Sequence, residues 1–257
     1  MSFRVVIPAR YASVRLPGKP LVNICGQPML YWVHQIAQQS GAAEVVIATD
    51  DERILAAAEG FGARVQMTSP THASGTDRIA EVGLARGWKD GDIVVNLQGD
   101  EPLMPPELLQ QVAELLAQHA HACIATLATR IGSVDAFKDV NCVKVVTDQA
   151  GRALYFSRAP IPWGRDTAPA GLASQRGYTG ARRHIGIYAY RIGALRRLSM
   201  LPPSPLERLE KLEQLRALEN GMEIRVGDAR VLPGPAVDTD QDLALVNSLK
   251  AEQEKAR

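Results

Sequence analysis

Ile7-Pro8-Ala9-Arg10-Tyr11-Ala12-Ser13-Val14-Arg15-Leu16-Pro17-Gly18-Lys19-Pro20-Leu21 follows directly on a short β-rich run, Phe3 to Pro8, at the start of this 257-residue chain. Its position matters as much as its letters. In open α/β sheets ligands sit beyond the carboxyl ends of strands, and small residues there let backbone N–H groups approach phosphate oxygens. Ala9, Ala12, Ser13 and Gly18 are the small residues, and Arg10, Arg15 and Lys19 add three cations within ten positions. The segment therefore reads as a local anion site of the kind that suits a polyphosphate. It is neither a Walker A loop nor a G-x-G-x-x-G turn. The bland alternative is a solvated basic loop making surface ion pairs of little worth, and placement at the end of the first strand argues against it.

Outward from this loop the first 150 residues alternate strand-like and helical stretches, the pattern of a mostly parallel sheet flanked by helices. A helix is predicted over Pro28 to Ser40, with Gly41 as C-terminal cap, and a strand over Glu44 to Thr49. A helix at Asp51 to Gly60, a strand at Arg64 to Thr68 and a helix from near Thr76 come next. The strand Asp92 to Gln98, the helix Pro105 to His119 and the strands Ala122 to Thr129 and Cys142 to Asp148 continue the rhythm. Pro160 to Arg183 interrupts it, and a strictly alternating strand follows over His184 to Arg191. One domain spanning residues 1–257 is expected, with residues 155–205 as a smaller inserted subdomain. A single leucine-rich helix is predicted over Leu206 to Asn220, a strand near Met222 to Val226, and a final helix from Asp240 into a frayed tail at 250–257.

The chain carries 29 basic and 28 acidic residues, so no global field would hold it on nucleic acid or an anionic membrane. Arg4 and Pro8 interrupt the N-terminal apolar run too early for a signal peptide or a membrane span. A cytoplasmic location is the expectation. Cys25, Cys123 and Cys142 lie far apart with no C-x-x-C pair, and read as small buried hydrophobes.

Asn96-Leu97-Gln98-Gly99-Asp100-Glu101-Pro102 closes a buried strand with glycine and two acids, and puts Asp100 on the same rim as the first loop. Mg²⁺ on phosphates is usually held by one or two carboxylates, and Asp100 is a candidate ligand. The opening segment resembles the signature of the sugar-activating cytidylyltransferases, in particular those that couple CTP to the eight-carbon acidic sugar Kdo. The resemblance implies a nucleotide-diphospho-sugar transferase-like fold and a nucleotide site built from Pro8, Ala9, Arg10, Ser13, Arg15 and Lys19. Arg10, Lys19 and Asp100 would carry the catalysis, with Gln98 between the two substrates.

Further stretches match the same family in order. Val237-Asp238-Thr239-Asp240-Gln241-Asp242-Leu243 reads by itself as a helix N-cap; the resemblance assigns the second Mg²⁺ ligand to Asp238 and the capping to its neighbours. Asp240 and Gln241 stand where the family usually has Pro and Glu. His72-Ala73-Ser74-Gly75-Thr76-Asp77-Arg78 starts a helix, and the resemblance makes Ser74, Gly75, Thr76 and Arg78 contacts of base or ribose. On the sugar side, Arg158 is a candidate carboxylate clamp, because guanidinium meets carboxylate bidentately. His184, Gly186, Tyr188 and Tyr190 fall on one face of their strand. Glu213, seven residues after Leu206 and four after Leu209, points along an apolar helical stripe and needs a polar partner there. The run through Gln214 matches the family's sugar-binding helix.

The implied activity is the formation of CMP-Kdo and pyrophosphate for lipopolysaccharide biosynthesis, by a protein that is typically a homodimer in this family. Rival readings are a sialic-acid type of nucleotide-sugar synthetase, a glycosyltransferase using Asp238-Thr239-Asp240 as its metal motif, and a CTP-binding regulator without catalysis. The early triphosphate loop argues against the second, and the retained acids and Lys19 against the third.

Overall fold

Along Arg4–Ala9, Val5, Ile7 and Ala9 turn into one buried cluster and Val6 into another, so the first strand is covered on both faces. Such a strand belongs in the interior of a parallel sheet with helices on either side. The structure, a computed structural model, describes residues 1–12, 16–168 and 170–255. Its strands are β1 Arg4–Ala9, β2 Asn23–Ile24, β3 Gln27–Pro28, β4 Glu44–Thr49, β5 Val65–Met67, β6 Ile93–Asn96, β7 Ile124–Arg130, β8 Lys144–Thr147, β9 Ala153–Ser157, β10 Arg182–Arg191 and β11 Ile224–Asp228. The helices are α1 Met29–Gln39, α2 Glu52–Gly60, α3 Gly75–Ala85, α4 Pro106–Gln118, α5 Val134–Lys138, α6 Ile192–Ser199, α7 Pro205–Glu210, α8 Gln214–Glu219 and α9 Asp240–Lys255.

The main sheet runs β11-β7-β10-β6-β1-β4-β5. β5, β4, β1 and β6 are mutually parallel, as are β7 and β11, whereas β10 is antiparallel to both β6 and β7. One face packs on α1, α2 and α4 through Leu30, Val33, Ile54, Leu108 and Val112. The other packs on α3, α6 and α8 through Ile79, Val82, Leu195 and Leu215. Because β1 has β4 on one side and β6 on the other, the chain order reverses across β1, and a crevice opens at the carboxyl ends of β1 and β6.

Three expectations need correction. The strand expected to lie in a separate unit at residues 155–205 is β10, which sits inside the main sheet between β6 and β7, so a boundary drawn there cuts through the sheet. The leucine-rich helix predicted over Leu206 to Asn220 is two short helices, broken where Lys211 adopts a left-handed conformation, φ 55 and ψ 46. Leu209 is 80% exposed, so the apolar stripe invoked for Glu213 does not exist. The residues expected as a frayed tail continue α9 as far as Lys255.

Candidate active site

The loop after β1 is shaped by Gly18, whose φ of 67 leaves the right-handed region and whose added Cβ would meet the Tyr11 ring at 3.2 Å. Gly18 N–H donates to Tyr11 O at 3.1 Å, and a 3₁₀ turn over Lys19–Leu21 follows. The turn aims Lys19 back across the crevice. Its Nζ donates to Asp100 Oδ2 at 2.6 Å and to Asp238 Oδ1 at 2.9 Å. Burial works against the Lys19 ammonium, but Asp100 and then Asp238 outweigh it, so its pKa lies above the ordinary lysine value.

Two backbone features place those acids. Gly99 lies so close to β1 that a Cβ there would stand 3.1 Å from Pro8 O, which seats the β6 exit loop against the end of β1. Val237 N–H donates to Asp100 O at 2.9 Å and brings the C-terminal segment alongside. The start of α9 is capped by Asp242, whose Oδ2 accepts from the N–H groups of Asp238 and Thr239 at 3.1 and 2.9 Å. Asp238 thus points its carboxylate at Lys19 while its neighbours cap the helix. Glu101, beside Asp100, has its pKa pushed up to about 7 by burial and by the Asp100 charge.

Pro8, Ala9, Arg10, Lys19, Ser74, Gly75, Gln98 and Asp100 line one cavity of about 250 Å³. Arg10 is braced there, Nη2 donating to His72 O at 2.6 Å and Nη1 to Ala73 O at 3.3 Å in the turn before α3. Ser74 caps that helix in a reciprocal pair with Asp77. Ser13 and Arg15 lie outside the described residues.

A second cavity of about 180 Å³ shares Gly75 and Gln98 with the first and adds Thr76, Asn96, Tyr188, Tyr190, Glu213 and Gln214. Gln98 Nε2 donates to Asn96 Oδ1 at 3.3 Å, so the shared wall is itself hydrogen-bonded. Glu213 accepts a hydrogen bond from Thr76 Oγ1 and stands 3.9 Å from Arg216. Burial raises the Glu213 pKa above the ordinary glutamate value, although Thr76 and Arg216 oppose the shift. His184 stands behind Tyr188, with ring centres 5.2 Å apart.

Thr76 joins the second cavity rather than the first. Arg78 does not reach either: it is fully buried, donating to Asp50 Oδ2 at 2.8 Å and to Thr68 Oγ1, and it ties α3 to β4 and β5. Arg158 is also elsewhere. Its Nε donates to Glu210 O at 2.7 Å and Nη1 to Val140 O at 2.9 Å, so the expected carboxylate clamp fastens β9 to α7 instead. Tyr190, placed by its sequence on the same strand face as Tyr188 but given no role, lines the second cavity too, whereas Asn96 goes unread; a buried asparagine closing an otherwise aliphatic strand is the available signal for it.

A cation-lined cavity with Asp100 on its wall, a second carboxylate of Asp238 on the same Lys19 and a polar second cavity, all at the reversal point of a mostly parallel sheet, define a nucleotide-handling α/β transferase. The family model described as Cytidylyltransferase matches residues 4–224 and sets the class. A 3-deoxy-manno-octulosonate cytidylyltransferase of Thioalkalivibrio sulfidiphilus is 55% identical over 249 residues, covering 97% of this chain and 99% of that protein. One from Alkalilimnicola ehrlichii is 54% identical over 251 residues, 98% of this chain and 97% of its own length. The chain belongs to the 3-deoxy-manno-octulosonate cytidylyltransferase family. Among solved structures, a CMP:2-keto-3-deoxy-manno-octonic acid synthetase complexed with CTP superposes with a TM-score of 0.87 at 41% identity, covering 98% of this chain and all of the other. A cytidylyltransferase of Leptospira borgpetersenii, at 18% identity and a TM-score of 0.63 over 96% of this chain and 86% of its own, shares the fold.

Proposed function

We propose that this chain couples CTP to Kdo, the anomeric hydroxyl of the sugar attacking the α-phosphorus to give CMP-Kdo and pyrophosphate, for lipopolysaccharide biosynthesis. The observation that carries this reading is the shared wall of Gly75 and Gln98 between a cation-lined cavity and one lined by hydroxyl and amide groups. Two substrates held on either side of that wall meet at it.

Arg10 and the loop amides would neutralise the triphosphate, and the hydroxyls of the second substrate would be held by Glu213, Tyr188, Gln98 and Gln214. Catalysis is then positioning and electrostatics, with a direct displacement and no covalent enzyme intermediate. Mg²⁺ suits the acid pair, since two hard carboxylates already converge on one ammonium and one or two carboxylates are what the ion usually takes from protein beside phosphate and water. Bound there it would supply Lewis-acid polarisation of the phosphate oxygens. Lys19, between acids and phosphate cavity, can exchange carboxylate oxygens for phosphate oxygens as the nucleotide's charge arrives.

A homodimer and a cytoplasmic location belong to the same reading. Leu154, Trp163 and Leu172, in β9 and the segment after it, are exposed by 45% or more, apolar surface of the kind that a partner would cover. No helix among the described residues is long and apolar enough to cross a membrane. The test is pyrophosphate release across nucleotides and acidic sugars with Mg²⁺, combined with light scattering. Release with CTP and Kdo alone is expected. Equal release with sialic acid would overturn the sugar assignment, and transfer from a preformed nucleotide sugar without pyrophosphate would overturn the reaction.

A further inference from the structure

β10 departs from its register with β7 between Ile185 and Tyr188, and Thr126 of β7 sits opposite Tyr188 at that irregularity. Thr126 is fully buried, and its Oγ1 meets three partners: Ile187 O at 2.7 Å, Ile185 O at 3.2 Å and His184 Nε2 at 2.9 Å. A hydroxyl has one proton to give and lone pairs to receive with. The two carbonyls can only accept, so the hydroxyl proton goes to them, the shorter contact at Ile187 O taking the larger share. If His184 Nε2 were also unprotonated, three acceptors would compete for that one proton in a buried place, a costly arrangement. The proton count therefore requires the His184 nitrogen to bring its own proton and donate to Thr126.

We infer that Thr126 locks His184 as the neutral Nε2–H tautomer, so that Nδ1 is a fixed hydrogen-bond acceptor for a hydroxyl of the sugar substrate. Thr126 is then a positioning residue acting through His184. His184 is only partly buried, and Nδ1 has no hydrogen-bond partner among the described residues, so that edge of the ring is the one left for a ligand. The ring is clamped by Phe156, edge-on at 5.0 Å, and by Tyr188 at 5.2 Å, which itself lines the sugar-side cavity. Burial, and secondarily Arg183, lower the imidazole pKa to about 3, in keeping with a group that stays neutral. A neutral acceptor suits a hydroxyl. It neither attracts a carboxylate nor serves as a cation at neutral pH.

The inference rests on the Kdo-activating reading for the ligand, but its first test does not. Long-range ¹H–¹⁵N spectra of the wild-type protein labelled at histidine, with His184→Gln to assign the resonance, report the tautomer without any substrate. The Nε2–H pattern is expected; the Nδ1–H pattern or an imidazolium at neutral pH would overturn the proposal. Thr126→Val, which keeps the shape and loses the acceptor, should mix the tautomers. It should also raise the sugar's KM about tenfold, the scale of one lost hydrogen bond, with the KM for CTP unchanged. Thr126→Ser should restore both. An unaltered His184 spectrum and unaltered sugar KM in Thr126→Val would refute the positioning role, and should that variant not fold, the wild-type spectrum still decides. Loss of all turnover with Kdo by a wild-type protein that shows the Nε2–H pattern would instead count against the substrate, leaving the tautomer intact.

Discussion

Replacing Lys19 by Met keeps the length and apolar stem of the side chain and removes the ammonium shared by Asp100 and Asp238. The two contacts, 2.6 and 2.9 Å, put those carboxylate oxygens no more than about 5.5 Å apart. At that separation and an effective dielectric constant near 20, two unit negative charges repel by about 3 kcal/mol. Asp100 and Asp238 are 33% and 44% exposed, so solvent and salt screen much of this. A net loss of about 1–2 kcal/mol is expected for the metal-free variant, or about 3–6 °C in Tm for a chain of this size. Millimolar Mg²⁺ should return most of that loss, because a cation that binds the folded state stabilises it by mass action. The wild type, whose ammonium already serves the acids, should gain less. Thermal melts of both proteins with and without Mg²⁺ are the assay, with turnover measured alongside and expected to fall by about 10²-fold or more. A variant that melts with the wild type and ignores Mg²⁺ would refute the shared-cation reasoning.

Arg158→Met should lose about 1–2 kcal/mol of stability, the two hydrogen bonds to Glu210 O and Val140 O, while the KM for the sugar stays put; a tenfold rise in that KM would return Arg158 to the site. His184 has a folded pKa below its ordinary 6.5, so its neutral form contributes stability that is complete above pH 6.5 and is lost as pH falls towards about 3. His184→Gln should therefore show a shallower loss of stability across that window in pH-dependent urea melts. Glu207→Ala breaks a bidentate pair, Arg216 Nε and Nη2 donating at 2.8 and 2.6 Å, between side chains only 13% and 7% exposed. The stranded guanidinium should cost about 3–5 kcal/mol, read by urea unfolding.

Periodicity and punctuation make most of the parallel sheet legible in the sequence. β1, α1, β4, α2, β5, α3, β6 and α4 fall within a residue or two of their predicted limits, because Val, Ile and Leu runs between glycine and capping residues leave little choice of local structure, whereas the two-residue strands β2 and β3 carry no such pattern and go unread. Reading failed where local and tertiary preferences diverge. Leu206 to Asn220 has helical composition throughout, yet Lys211 turns left-handed. The turn lets α7 and α8 fold separately, with Glu213 at the start of α8 facing Thr76 and Arg216 paired to Glu207.

The site divides the same way. The loop from Pro8 to Lys19, the exit at Gln98 to Asp100 and the strand at Tyr188 announced their chemistry through residue type and place, since a strand end is a binding position in any sheet of this kind. Arg78 and Arg158 looked equally functional, because a guanidinium suits a ligand and a carbonyl alike. Only packing decides which it meets, and here it is Asp50 and Thr68 for one and two backbone carbonyls for the other.

By itself, then, the sequence determined a nucleotide-sized cationic loop at the first strand end and the order of the elements around it, because both follow from neighbours along the chain. Tertiary structure alone decided that Asp100 and Asp238 share Lys19, that β10 enters the main sheet, and that Thr126 meets His184. Each of these joins residues from different parts of the chain whose partnership depends on strand order and register, and neither quantity is carried by local pattern.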